Sequence, residues 1–136
     1  RFVERKKQAL IVVDYLQRIE NIGGREWTEE RESTHKAKSL KSLARALNCA
    51  VITGSQVNEK DARSRKDQRP TLADMKGANG IAEESDVLLG VFRADRESEQ
   101  GQVAVLKQRQ GPTAAYFAVQ FDRRLVAFRD LNQGER

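Results

Sequence analysis

The chain has 136 residues, 38% hydrophobic and 33% charged, which is long enough for one domain with its own core and too short for two comfortable ones. No apolar run approaches the roughly 20 residues that span a bilayer, and Arg1-Phe2-Val3-Glu4-Arg5-Lys6-Lys7 has no signal-peptide core behind it, so membrane and secretory readings drop out. A single cysteine, Cys49, beside a single histidine, His35, excludes a disulfide framework or a zinc cluster within the chain and fits a cytoplasmic setting; the net charge of +5 permits polyanion binding without naming a partner.

One domain over residues 1–136 is expected, and the first residues read as mid-protein sequence, so a piece of something longer is expected too. Ala9-Leu10-Ile11-Val12-Val13-Asp14 is a continuous β-branched run closed by an acid, the pattern of a strand buried on both faces of a parallel sheet. Gly23-Gly24 interrupts the chain. Thr28 then predicts a helix start, with Glu29 and Glu30 suiting the positive end of the helix dipole, although Arg31 stands where a capping box wants Glu or Gln. The helix is predicted to run to about Asn48, with Ala37, Leu40, Leu43, Ala44 and Leu47 on a sheet-covering face and Lys36, Lys38, Lys41 and Arg45 in solvent. Ala50-Val51-Ile52-Thr53-Gly54 predicts a second strand and completes a βαβ unit, whose crossover is expected to be right-handed.

From Val57 to Pro70 the sequence is polar and charged, which predicts a mobile basic loop. Thr71 is expected to cap a short helix through Met75, Lys76-Gly77-Ala78-Asn79-Gly80 to form a flexible turn, and Ile81 to Glu84 to add one helical turn. A third apolar strand is predicted over Asp86 to Arg93. Further strands follow at Gln102 to Arg109 and Ala115 to Phe121, and Leu125 to Phe128 closes a hairpin over Asp122-Arg123-Arg124. The predicted class is α/β, a parallel sheet flanked by helices with a C-terminal antiparallel ribbon.

Chemistry concentrates at strand ends. Asp14 closes the first strand at the carboxyl edge of a parallel sheet, where open α/β proteins bind ligands and where phosphoryl-transfer enzymes place a Mg²⁺-orienting carboxylate. The second strand ends in Ser55-Gln56, whose amide can hydrogen-bond a water or a phosphate oxygen at the same edge. In Lys107-Gln108-Arg109, strand alternation points both cations to one side, and a Lys with an Arg fork suits phosphate oxygens. Taken singly, each is equally a solvated strand end.

In order and wording, these segments resemble the C-terminal RecA-like ATPase domain of DnaB-type replicative DNA helicases over nearly the whole chain. The resemblance rests on Leu10-Ile11-Val12-Val13-Asp14-Tyr15-Leu16-Gln17, Leu40-Lys41-Ser42-Leu43-Ala44-Arg45-Ala46-Leu47-Asn48 and Val51-Ile52-Thr53-Gly54-Ser55-Gln56-Val57-Asn58. It continues through Arg69-Pro70-Thr71-Leu72-Ala73-Asp74, Ile81-Ala82-Glu83-Glu84-Ser85-Asp86-Val87 and Lys107-Gln108-Arg109-Gln110-Gly111-Pro112-Thr113.

That resemblance implies an ATP-driven helicase working as a ring, expected to be a hexamer, on single-stranded DNA, with ATP as substrate and Mg²⁺ as cofactor. Asp14 would be the Walker B acid on Mg²⁺ and Gln56 would sense the γ-phosphate in cis. Lys107 and Arg109 would match the lysine and arginine finger that reach into a neighbouring subunit's site. Lys76, Gly77, Asn79 and Gly80 fall in the segment matching a DNA-holding channel loop, where the family more often has Arg-Glu-Ser-Gly than Lys-Gly-Ala-Asn; Arg63 and Arg65 are further candidates for DNA. The chain contains no Gly-x-x-x-x-Gly-Lys-Ser/Thr, the loop whose amides cradle phosphates, and the family's water-polarising glutamate also lies upstream of Asp14. The chain would then hold the latter half of an ATPase core and be inactive alone, with the P-loop strand missing between the strand of Ser55-Gln56 and that of Asp86. Two other readings stand beside it: a recombinase or regulatory RecA-family ATPase, and a catalytically inactive assembly or DNA-binding module.

Overall fold

The computed structural model describes residues 9–20, 23, 26–57, 69–75, 78–93, 95, 97–113 and 115–130. They fall into two compact units, one formed by the chain up to Gln56 together with Met75–Ser85, the other by Val57–Asp74 and the chain from Asp86 onward.

In the first unit, β1 (Leu10–Val13) and β2 (Ala50–Thr53) pair in parallel, Leu10 opposite Ala50 and Val13 opposite Thr53, joined through helix α1 (Glu29–Leu47). This is the βαβ unit expected from the apolar runs. The start of α1 is also where its sequence places it: Thr28 Oγ1 accepts from the Arg31 N–H at 3.2 Å, and Glu29, Glu30 and Glu32 occupy the first turn. At the other end Asn48 takes a left-handed conformation, φ 48° and ψ 48°, and the Cys49 N–H returns to the Ala44 carbonyl at 3.0 Å. Asparagine tolerates that conformation better than most side chains, so it stops the helix without a glycine.

The faces of α1 differ from expectation. Lys36, predicted to lie in solvent, is 6% exposed, while Leu43 and Leu47, predicted to cover a sheet, are exposed. Burial of Lys36 is made tolerable by an ion pair with Glu32, one turn earlier on the same helix. The helix packs chiefly on α2 (Ala78–Glu84) rather than on the strands. The strands are likewise more open than a doubly covered sheet: Leu10, Val12 and Ile52 are 57%, 67% and 58% exposed, because the described helices of this unit leave that face of the pair uncovered.

Helix α2 corrects a second expectation. Lys76 to Gly80 reads as a flexible turn, yet the helix already begins at Ala78 and takes in Asn79 and Gly80. Gly80 is buried against α1, where a Cβ would stand 1.9 Å from Thr34 Oγ1; the glycine serves a close helix approach, and reading it as a breaker misplaced the helix start. Ile81 to Glu84 are helical as expected. Thr71, in the second unit, directly precedes a single 3₁₀ turn (Leu72–Asp74) instead of a helix reaching Met75. The buried Asp74 carboxylate accepts from the Thr71 hydroxyl at 2.9 Å and from the Thr71 N–H.

The second unit is an antiparallel sheet in the order β3 (Val87–Phe92), β4 (Gln100–Gln108), β5 (Tyr116–Asp122), β6 (Ala127–Asp130). The ribbon expected at the C-terminus therefore includes the third apolar strand, with Val91 opposite Val103 and Val103 opposite Phe117. One sheet face holds Gly90 against Pro70 and Leu106, and the Arg69 guanidinium stacks 4.8 Å from the centre of the Tyr116 ring. The last hairpin turns later than predicted. Asp122 Oδ1 accepts from the N–H groups of Arg124 and Leu125 at 3.0 and 3.1 Å, which holds Leu125 and Val126 in the turn and delays β6 to Ala127.

Candidate functional site

The parallel pair ends together. Val13 opposite Thr53 is the last register pair, and directly beyond it come Asp14 on one strand and Gly54-Ser55-Gln56 on the other. The ends are stitched. Gly54 N–H donates to the Val13 carbonyl at 3.4 Å, and the Leu16 N–H donates to the Gly54 carbonyl at 2.9 Å. Leu16, 1% exposed, anchors a 3₁₀ turn (Leu16–Arg18) that carries Gln17 back toward β2. Gln17 Nε2 donates to Ser55 Oγ at 3.1 Å, and Gln17 Oε1 accepts from the Gln56 N–H at 3.3 Å. The structure thus brings the Asp14 and Gln56 backbones to the same end of the ladder, with both residues exposed. The sequence alone assigns Gln17 no task. Its signal was a lone amide directly after the apolar Tyr15-Leu16, three positions beyond Asp14.

Lys107 and Arg109 belong to the other unit. Lys107 is half-buried in β4 opposite Leu88, at a register shift between Leu88 and Leu89 that leaves Leu106 as the extra residue of a bulge. The strand ends at Gln108, so the alternation that would align the two cations stops before Arg109, which stands in the following turn. Arg109 is held by its backbone, whose N–H donates to the Asp86 carbonyl at 2.9 Å. Its guanidinium lies 3.5 Å from Asp86 Oδ1 with both side chains about half exposed, a pairing of little strength in high dielectric.

Of the residues expected to face DNA, Asn79 is exposed on α2 and Gly80 is buried. Lys76, Gly77, Arg63 and Arg65 lie outside the described residues.

Residues 1–130 match the family model of the DnaB-like helicase C-terminal domain. The chain belongs to that family. It is 33% identical over 109 residues to the replicative DNA helicase DnaB of Geobacillus stearothermophilus, a match covering 76% of this chain and 24% of that one. The DnaB of Mycoplasma pneumoniae is 32% identical over 126 residues, covering 83% of this chain and 26% of its own. The chain thus spans about a quarter of the length of these curated relatives. Among solved structures, one described as an ATPase domain superposes with a TM-score of 0.81 at 26% identity, over 92% of this chain and 45% of that one. A DnaB-like replicative helicase, whose structure was described with its interactions with primase, gives 0.80 at 25% identity over 92% and 30%. The resemblance to the RecA-like C-terminal domain of DnaB-type helicases, carried by six sequence blocks in order, is therefore borne out at the level of family and fold.

Proposed function

We propose that this chain is the latter half of the ATPase core of a replicative DNA helicase, a motor that hydrolyses ATP at subunit interfaces of a ring, a hexamer by family likeness, and moves along single-stranded DNA. The observation that carries the proposal is the convergence of Asp14 with Ser55-Gln56 beyond the last pair of a parallel ladder, in a chain of this family. Family membership alone would not locate a site. Likeness to a domain described as an ATPase supports ATP as the substrate.

Mg²⁺ fits Asp14. This ion takes one or two carboxylates, keeps several waters and completes its shell with substrate phosphates, and an exposed carboxylate just past a strand end leaves room for those partners. The chemistry supplied by an ion held at Asp14 would be neutralisation of the charge that develops on phosphate oxygens. Asp14 would hold the ion, and the Gln56 amide would donate to a phosphate oxygen or orient water. Lys107 and the Arg109 guanidinium would act on the site of a neighbouring subunit, Arg109 on transition-state charge. Lys76, Gly77, Asn79 and Gly80, with Arg63 and Arg65, would lie along the DNA path. A cytoplasmic location goes with this role.

The uncovered apolar face of β1 and β2 supports a further element of the reading, that the remainder of an ATPase domain packs on these strands. An exposed face of Leu10, Val12 and Ile52 is the kind of surface that marks a contact. A P-loop, whose motif is absent from these residues, would come with that remainder.

Steady-state ATP turnover by the intact protein, with and without Asp14→Asn and Gln56→Ala, tests the reading. Loss of turnover in both, with the fold retained, supports it. Robust Mg²⁺-dependent turnover by the isolated 136-residue chain, abolished by Asp14→Asn, would reject the half-site description.

A further inference from the structure

We infer that Gln17 is a positioning residue: its side-chain amide clamps the loop after β2 to the turn after β1 and so fixes where the Ser55 hydroxyl and the Gln56 residue stand relative to Asp14. The inference rests on the reading of Asp14 and Gln56 as parts of a nucleotide site.

The amide's orientation follows from donor chemistry. The Gln56 N–H can only donate, so the Gln17 oxygen must face it, which turns Nε2 toward Ser55 Oγ. Both ends of one planar group are then used, on two consecutive residues, 38 and 39 positions away in sequence. As the acceptor from Gln17, the Ser55 hydroxyl keeps its own proton to donate elsewhere.

A mere turn would not need this contact. The two strand ends are already joined by backbone bonds, Gly54 to Val13 and Leu16 to Gly54, and Leu16 anchors the turn by burial. The Gln17 bonds reach beyond them, to Ser55 and Gln56, the residues that leave the ladder. Gln17 is itself three residues from Asp14 along the same turn, so its amide couples that turn directly to Gln56, in addition to the backbone bonds that reach Gly54. Reacting groups displaced by about 1 Å can lose about 100-fold in rate, so a short clamp between two site elements has kinetic weight beyond its stability.

Single-turnover and steady-state ATP hydrolysis in the intact protein test the clamp. Gln17→Ala is expected to lower kcat by about 10- to 100-fold, with KM changed by less than about threefold, because orientation and not ground-state binding is lost. Gln17→Glu is expected to recover most of kcat, since one carboxylate oxygen accepts from the Gln56 N–H and the Ser55 hydroxyl turns to donate to the other. Adding Ser55→Ala to Gln17→Glu removes that donor and is expected to abolish the recovery, a reversal that a general effect on folding does not produce.

A Gln17→Ala enzyme with kcat within about twofold of the parent, beside an inactive Asp14→Asn, would overturn the clamp while leaving the nucleotide site intact. Full turnover by Asp14→Asn would remove both. Where Gln17→Ala does not fold, the Glu variants decide: equal kcat with and without Ser55→Ala would overturn the inference.

Discussion

Gly80 of α2 and Thr34 of α1 are so closely apposed that a methyl group at residue 80 would stand 1.9 Å from Thr34 Oγ1 and 2.5 Å from Thr34 Cβ. Thr34 cannot simply swing away, because its hydroxyl donates to the Glu30 carbonyl at 2.8 Å. Gly80→Ala is therefore expected to destabilise the chain by about 1–3 kcal/mol, in spite of alanine's better helix propensity, since overpacking forces the helices apart. Urea denaturation of the two proteins checks this. Adding Thr34→Ala removes the oxygen and one methyl and should recover part of the loss; a Gly80→Ala midpoint at or above the parent's would show that the helices separate at no cost.

The N-terminal cap of α1 gives a smaller and cleaner expectation. Thr28 Oγ1 is the side-chain acceptor for the Arg31 N–H, and an alanine there leaves that donor to water. Thr28→Ala should cost about 1 kcal/mol and Thr28→Ser or Thr28→Asp much less. Thermal melting followed by far-ultraviolet circular dichroism separates the three. Equal melting of Thr28→Ala and the parent would mean that the start of α1 is set by tertiary packing.

What the sequence made legible, and what it hid, divides along local and non-local chemistry. The runs Leu10–Val13 and Ala50–Thr53, the Thr28 cap and the end of α1 near Asn48 depend on neighbours a few residues away, and each lies where the pattern predicted. Lys36 and Gly80 depart from the pattern because helix packing decides their surroundings: a lysine buried there, whose partner Glu32 is nevertheless local, and a glycine selected by a second helix. Alternation gives no warning of where pairing stops, and the strand ends one residue before Arg109. At the candidate site the order of residues pointed to Asp14 and Gln56, whereas the Gln17 link between them spans 38 and 39 residues and has no periodic signal.

A DNA contact by Lys76 has a distinctive salt signature. One lysine neutralises about one phosphate, so in the assembled protein Lys76→Ala should weaken single-stranded DNA binding alike for all sequences and reduce the slope of log K against log salt by roughly 0.7. Fluorescence anisotropy with oligonucleotides of different composition over a salt series measures both. An unchanged slope moves the contact to Arg63 and Arg65.

The last expectation concerns Arg109 and Asp86. Because both side chains are about half exposed and their closest approach is 3.5 Å, Asp86→Asn should change stability by less than about 0.5 kcal/mol; the backbone bond from Arg109 N–H to the Asp86 carbonyl survives the substitution and keeps the turn in place. Arg109→Ala should leave stability and nucleotide binding near those of the parent and lower ATP turnover by about 10³-fold or more, as expected of a guanidinium that acts on transition-state charge. Subunit mixing then decides whose site it serves. In a ring that combines Arg109→Ala subunits with Asp14→Asn subunits, a finger acting in trans creates some interfaces with an intact acid on one side and an intact arginine on the other, so turnover returns above either parent variant. A finger acting in cis leaves every site with one defect. Mixed rings as inactive as the separate variants, with exchange of subunits verified by mass spectrometry, would place Arg109 in its own subunit's site.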